Sequence, residues 1–370
     1  SAKGNLPKAE NQMKFSLLIF LFISLIIFTS VAFPSDPADS LPNDPSGRSA
    51  DSSFYINLIN EGINATLNES YLYAEGRFKQ IIREKPEDPA GYFFLGALYQ
   101  AEMMDYEGDF KEKEFFSNLE ISINLARKRI KSGKETPWDY LYLGNSYGYM
   151  GVYKARKGGW WPAFKNALKA KSAFKKAVEL DPKFYDAYVG LGSYHYWTSY
   201  YTKSFAWLPF FADERKRGKE ELNLAAGKAL FSRVAALNAL IWIHIKEKNY
   251  SKAILLADSL QKEYPDGKIF LWALATAYYE RYDWHKAIEY YGLIKKKLNN
   301  NSAENYYNLI ECQYRIADSY FNLGNFPECI SICREALNYD LDKKTKERQK
   351  EKLSKIKEFL EKSLKITGRK

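Results

Sequence analysis

Residues 249–253 read Asn249-Tyr250-Ser251-Lys252-Ala253, and 34 residues further on the chain reads Asp283-Trp284-His285-Lys286-Ala287. In both, a polar residue precedes an aromatic, two polar positions follow, and an alanine closes the set. Gly324-Asn325-Phe326-Pro327-Glu328-Cys329 marks a third occurrence, with Cys329 in the alanine place and Ala336 behind it. A fixed period of this length is the mark of a unit that cannot bury its apolar face alone and stacks on copies of itself. From Phe54 onward apolar residues recur at spacings of three and four, breaks fall at Pro or Gly, and no convincing strand alternation occurs. The chain therefore reads as all-α.

The pattern extends toward the N-terminus. Tyr92, Leu95, Gly96 and Tyr99 share one spacing with Tyr140, Leu143, Gly144 and Tyr147, and with Tyr188, Leu191, Gly192 and His195. Ala170, Phe174, Ala177 and Pro182 supply a second helix, as do Ala74, Phe78 and Pro86. Small residues let two helices approach closely, large ones fill the space between neighbouring pairs, and proline stops the second helix. Over about residues 53–342 the sequence resembles the tetratricopeptide repeat (TPR) superfamily. That resemblance implies a right-handed superhelical solenoid of about seven helix pairs plus a C-terminal capping helix. Phe211-Ala212-Asp213-Glu214-Arg215-Lys216-Arg217-Gly218-Lys219-Glu220-Glu221-Leu222 also looks like a stretch of the inclusion-body-clearance family of TPR proteins.

Three units exceed the 34-residue period. Extra sequence lies at Met103–Phe116, around Gly158-Gly159-Trp160-Trp161-Pro162, and over Tyr194–Phe211. Longer helices and protruding loops both accommodate such insertions. The expected organisation is residues 1–32 as an N-terminal extension and signal peptide, 33–52 as a disordered linker, 53–231 as a variant TPR-like half, 232–342 as regular repeats, and 343–370 as a basic capping helix and tail.

The leader reads Met13-Lys14, then a nearly unbroken apolar run from Phe15 to Phe28, then Ser30-Val31-Ala32, a small-x-small cleavage site. This predicts a periplasmic or secreted bacterial protein. The alternative is an inner-membrane anchor, since the apolar run approaches the ~20 residues that span a bilayer. Membrane contact is expected only if this segment stays uncleaved. The formal net charge is +10. The tail from residue 343 and the leader carry that excess, so the span 33–342 is neutral and lacks the basic stripe of a nucleic-acid-binding body. Cys312, Cys329 and Cys333 read as small core side chains, too few for a disulfide scaffold.

No GxxxxGK[ST], GxSxG or HExxH motif occurs. His195, His244 and His285 fall in different repeats, and His195 and His244 take the packing position usually given to Tyr. The chain is expected to be non-catalytic, with no metal and no cofactor. Binding in TPR arrays uses the concave face, lined by first helices of each pair. That register places Asn238, Trp242, Lys246, Trp272, Thr276, Tyr279, Arg315 and Asp318 there in the regular half, facing a protein or peptide. In the variant half, Phe94, Tyr142, Asn145, Tyr149, Tyr196 and Trp197 share the register. With Trp160 and Trp207, the residues Tyr142, Asn145, Tyr149, Tyr196 and Trp197 make a candidate aromatic pocket for a small solute or lipid, the alternative function. Capture of a C-terminal carboxylate is disfavoured: Asn145 and Asn238 fit an asparagine slot, but Leu141, Trp242 and Trp272 sit where polar clamps belong.

Overall fold

The computed structural model describes residues 49–202, 212–299 and 305–368. The leader, the linker up to residue 48, and Trp207 with its neighbours lie outside the described residues. Sixteen α-helices and no strand occur among the described residues. They pair in order: α1 (Ser49–Leu67) with α2 (Tyr71–Glu84), α3 (Pro89–Asp105) with α4 (Glu112–Lys131), α5 (Pro137–Arg156) with α6 (Trp160–Leu180), α7 (Ala187–Thr202) with α8 (Arg215–Lys228), α9 (Arg233–Lys246) with α10 (Tyr250–Glu263), α11 (Ile269–Glu280) with α12 (Trp284–Asn299), and α13 (Tyr306–Asn322) with α14 (Phe326–Leu337). Two helices follow, α15 (Lys343–Arg348) and α16 (Lys350–Thr367). Among the described residues the fold is all-α, built of successive helical hairpins.

Hairpin geometry follows from two local devices. Pro86, Pro182 and Pro265 stand just beyond α2, α6 and α10, where they cannot continue a helix. Within the hairpins, six of the seven turns carry one residue in the left-handed region: Glu69, Glu107, Gly158, Lys248, Tyr282 and Gly324. The seventh turn lies partly outside the described residues. Added sequence in the variant half becomes helix length: α5 has 20 residues and α6 has 21. The linker expected through residue 52 is shorter, since α1 begins at Ser49.

The chain forms two compact units. The first comprises residues up to Thr66, Ser70–Glu102 and Phe110–Leu240; the second comprises Ile241–Lys370 together with the turns Leu67–Glu69 and Met103–Asp109. In the first unit the expected small-against-large contacts are present. A Cβ on Gly96 would stand 2.7 Å from Leu119, and one on Gly144 would stand 2.6 Å from the Phe174 ring. Gly192 faces backbone: its Cβ would meet the Gly218 carbonyl oxygen at 2.6 Å. Asp186 fastens the approach to α9, accepting from Leu230 N, Phe231 N and Ser232 Oγ at 2.8 Å each. His195, in the tyrosine position, is buried and bonds through Nδ1 to Glu221 at 2.6 Å.

In the second unit Ala287, Tyr291, Ile294, Leu309, Cys312 and Ile316 form one core cluster. Ile310, Ala317, Cys329, Cys333 and Ala336 form another, closed by Ile356 and Leu353 of α16. The three cysteines are buried free thiols. The tail, expected from sequence as one helix, breaks at Gln349. That side chain is 1% exposed and donates to the Tyr307 carbonyl at 2.8 Å.

Backbone contact and open space make opposite demands on an added methyl. Gly192→Ala has no flexible neighbour to displace and is expected to lower folding stability by about 1–3 kcal/mol. Gly76→Ala in α2 meets nothing within 4 Å and is expected to raise it by roughly 0.5–1 kcal/mol. Urea unfolding of both variants checks the pair of signs.

Candidate functional site

Two places gather the residue types that bind partners. The first is a cavity of about 90 Å³ inside the first unit. Its aromatic walls are Phe93 and Phe94 of α3, Tyr142 and Tyr149 of α5, Phe174 of α6, Trp197 of α7, and Phe231 ahead of α9. Small residues of α5, α6 and α7, among them Gly148, Gly151, Ala163, Ala167 and Gly190, also line it. Lys171 and the exposed Thr198 complete the lining toward solvent. Burial holds the Tyr142 phenol well above its ordinary pKa, and the neighbouring Asp88, Asp186 and Asp139 add to the shift, so it keeps its proton.

Of the residues expected in a pocket, Tyr142, Asn145, Tyr149 and Trp197 line this cavity. Tyr196 does not; it is fully buried with its ring 4.9 Å from that of Trp197 and its backbone against Gly218. Trp160 opens α6, half-buried and off the lining. Trp207 lies outside the described residues.

The second place is a face of the second unit. Tyr279 Oη donates to the Asp318 carboxylate. The Arg315 guanidinium lies 4.4 Å over the Tyr279 ring and donates through Nε to Glu311 at 3.0 Å. Lys352 of α16 also pairs with Glu311. Trp272 packs edge-on to Tyr291 at 6.0 Å, and Tyr291 bonds to Thr276. The structure thus joins Trp272, Thr276, Tyr279, Arg315 and Asp318 into one half-buried patch on α11 and α13. Trp242 and Lys246 are half-buried on α9. Asn238 differs from its expected place on a groove: it belongs to the first unit and is 1% exposed, buried in the packing of α9. Glu311 and Lys352 complete the patch, although sequence pattern does not single them out; their pairing brings in the tail, which local periodicity does not reveal. Burial alone would raise the Glu311 pKa, but Lys352 and Arg315 outweigh it and hold the carboxyl below its ordinary value of 4.5.

Elsewhere in the second unit two acidic turns bind basic residues far along the chain. Lys268, 3% exposed at the start of α11, pairs with Glu69 and with Asp105 at 3.2 Å. Its backbone N–H donates to Glu69 at 2.6 Å. Asn305 and Asn308 both donate to the Asp105 carbonyl, at 2.6 and 3.0 Å. Arg348 donates to the Glu107 carboxylate at 2.6 Å and stacks 3.9 Å over Tyr307. Burial lowers the Lys268 pKa, yet Asp105 and Glu69 outweigh it and raise the value; burial, then Asp105, raises that of Glu69.

Among the described residues no group of three or more His, Cys, Asp or Glu is placed to hold a metal ion, and no helix is long and apolar enough to cross a membrane. No family model and no curated protein matches the chain. Among solved structures it is similar to yeast Tom70, at 17% identity and a TM-score of 0.37, covering 97% of this chain and 73% of that one.

Lys268→Met leaves two half-buried carboxylates without their cation and is expected to cost about 2–4 kcal/mol at neutral pH. The loss shrinks toward acid pH, where Glu69 takes up a proton; denaturant unfolding at pH 7 and pH 4 measures it. Glu311 has the opposite linkage. Its depressed pKa contributes stability that is present above pH 4.5 and is lost as pH falls through the folded-state value. Glu311→Gln is expected to flatten the wild-type stability profile in that acid window.

Proposed function

We propose that this chain is an exported, non-catalytic TPR-type scaffold that binds a protein segment along the first helices of the pairs in its second unit. The observation that carries this reading is the patch of Trp272, Tyr279, Arg315 and Asp318. Aromatic rings and a guanidinium are held in place there by hydrogen bonds and ring contacts rather than left free. Rigid Trp, Tyr and Arg side chains are the types that dominate binding energy at protein interfaces. A preorganised surface also loses less conformational entropy when a partner docks. Export rests on the apolar leader and its Ser30-Val31-Ala32 cleavage site. The three histidines stand on different helices, His195 already engaged with Glu221.

The test joins interaction and processing. In capture of partners from the native envelope, the double variant Trp242→Ala/Trp272→Ala is expected to recover at least tenfold less partner, with unchanged helical circular dichroism. Leu255→Ala, on the exposed side of α10, recovers the wild-type amount. Equal recovery with the double variant overturns the assignment of the face. Mass spectrometry of the mature chain is expected to find Phe33 at its N-terminus.

A further inference from the structure

The cavity of the first unit has a chemical character of its own, independent of the protein-binding face. Three residues of its lining carry a buried polar atom with no hydrogen-bond partner among the described residues: Tyr142 Oη, Ser193 Oγ and Trp197 Nε1. These residues are 2%, 0% and 2% exposed. Buried polar groups are nearly always satisfied, and each one left alone costs free energy. The one carboxylate in the lining, Asp186, already accepts three hydrogen bonds from residues 230–232. The unmet groups therefore leave hydrogen-bonding capacity for an occupant of the cavity.

Their chemistry narrows what that is. An indole N–H only donates, so an occupant that satisfies Trp197 must supply an acceptor. The two hydroxyls donate or accept and set no further charge requirement. The remaining walls, Phe93, Phe94, Phe174 and Phe231, are hydrocarbon. A volume of about 90 Å³, below the ~150 Å³ of an apolar cavity that takes benzene, limits an occupant to a single small ring at most. We propose that this cavity is a binding site for a small, neutral, single-ring aromatic molecule bearing a hydrogen-bond acceptor, which receives the Trp197 Nε1–H. The ring fills the space between α3, α5, α6 and α7, and the acceptor lies at the Trp197 side. Such a molecule satisfies a donor that the protein leaves unmet and removes apolar wall from contact with water.

Phenol and toluene test the assignment as isosteric probes that differ in one oxygen. Calorimetric titration of the full mature chain is expected to show saturable binding of both. Trp197→Phe keeps a ring in place and removes the donor; it is expected to weaken phenol about fivefold, the contribution of one hydrogen bond, and to leave toluene unchanged. Ala167→Leu, which fills the cavity from α6, weakens both more than tenfold. Thermal melting confirms that each variant is folded, and Ser193→Ala is a milder substitution expected to lower phenol affinity selectively if either of the others melts early. N-acetyl-tyrosinamide, whose phenol is tethered to a peptide-like body, is expected to bind at least tenfold more weakly than phenol. Absence of saturable binding by either probe means a cavity filled by water and overturns the proposal. Equal losses of phenol and toluene in Trp197→Phe overturn the role of the indole. N-acetyl-tyrosinamide binding as tightly as phenol overturns a free small molecule in favour of a tyrosine side chain.

Discussion

The ring of Phe174 lies between two glycines, Gly144 on α5 and Gly190 on α7, and a methyl on either would run into it. This wedge sets how closely three successive helices of the first unit approach. The ring takes the place that a side chain at either glycine would need. The same ring is a wall of the aromatic cavity. On one side Phe174 fills the space that its glycines open. On the other, Gly148, Gly151, Ala163 and Ala167 line the cavity with no side chain large enough to fill it. Close packing and cavity are thus two outcomes of one arrangement, decided by whether a large side chain answers each small one.

In the second unit, charge ties together segments far apart in the sequence. Lys268 and Arg348 are each met by acidic turn residues from much earlier in the chain. The C-terminal tail, which carries much of the net positive charge, is partly neutralised here. Lys344 pairs with Asp109 at 3.2 Å, and Lys352 pairs with Glu311 of α13. The cap is therefore held by its charged side as well as by Leu353 and Ile356.

The hairpins are legible in the sequence because their signals are local. Gly96, Gly144 and Gly192, the alanines of α6 and the prolines after α2, α6 and α10 each act within a few residues of their own position. The left-handed turns are half legible, since Gly158 and Gly324 announce them while Glu69, Glu107, Lys248 and Tyr282 do not. The aromatic side of the cavity can be read from Tyr142, Tyr149 and Trp197, which share a helical register. Its small-residue side cannot: Ala163 and Ala167 look the same in sequence whether they receive a ring or border a void. Nor can the partners of Lys268, because Glu69 precedes it by 199 residues. Asn238 is misplaced by its pattern because helical register alone does not tell a groove from the packing around it.

An ideal repeat array is nearly one-dimensional: each unit touches only its neighbours, so the ends can fray while the middle stays intact. The ion pairs of Glu69, Asp105 and Glu107 give the second unit a different folding topology. They close loops of well over a hundred residues, and loop closure of that kind carries an entropic cost that only late, non-local contacts recover. Emerging from the ribosome, the two acidic turns are made long before Lys268 and Arg348 exist to neutralise them. The second unit therefore cannot be completed helix pair by helix pair, because its acidic turns wait for Lys268 and Arg348 to reach them.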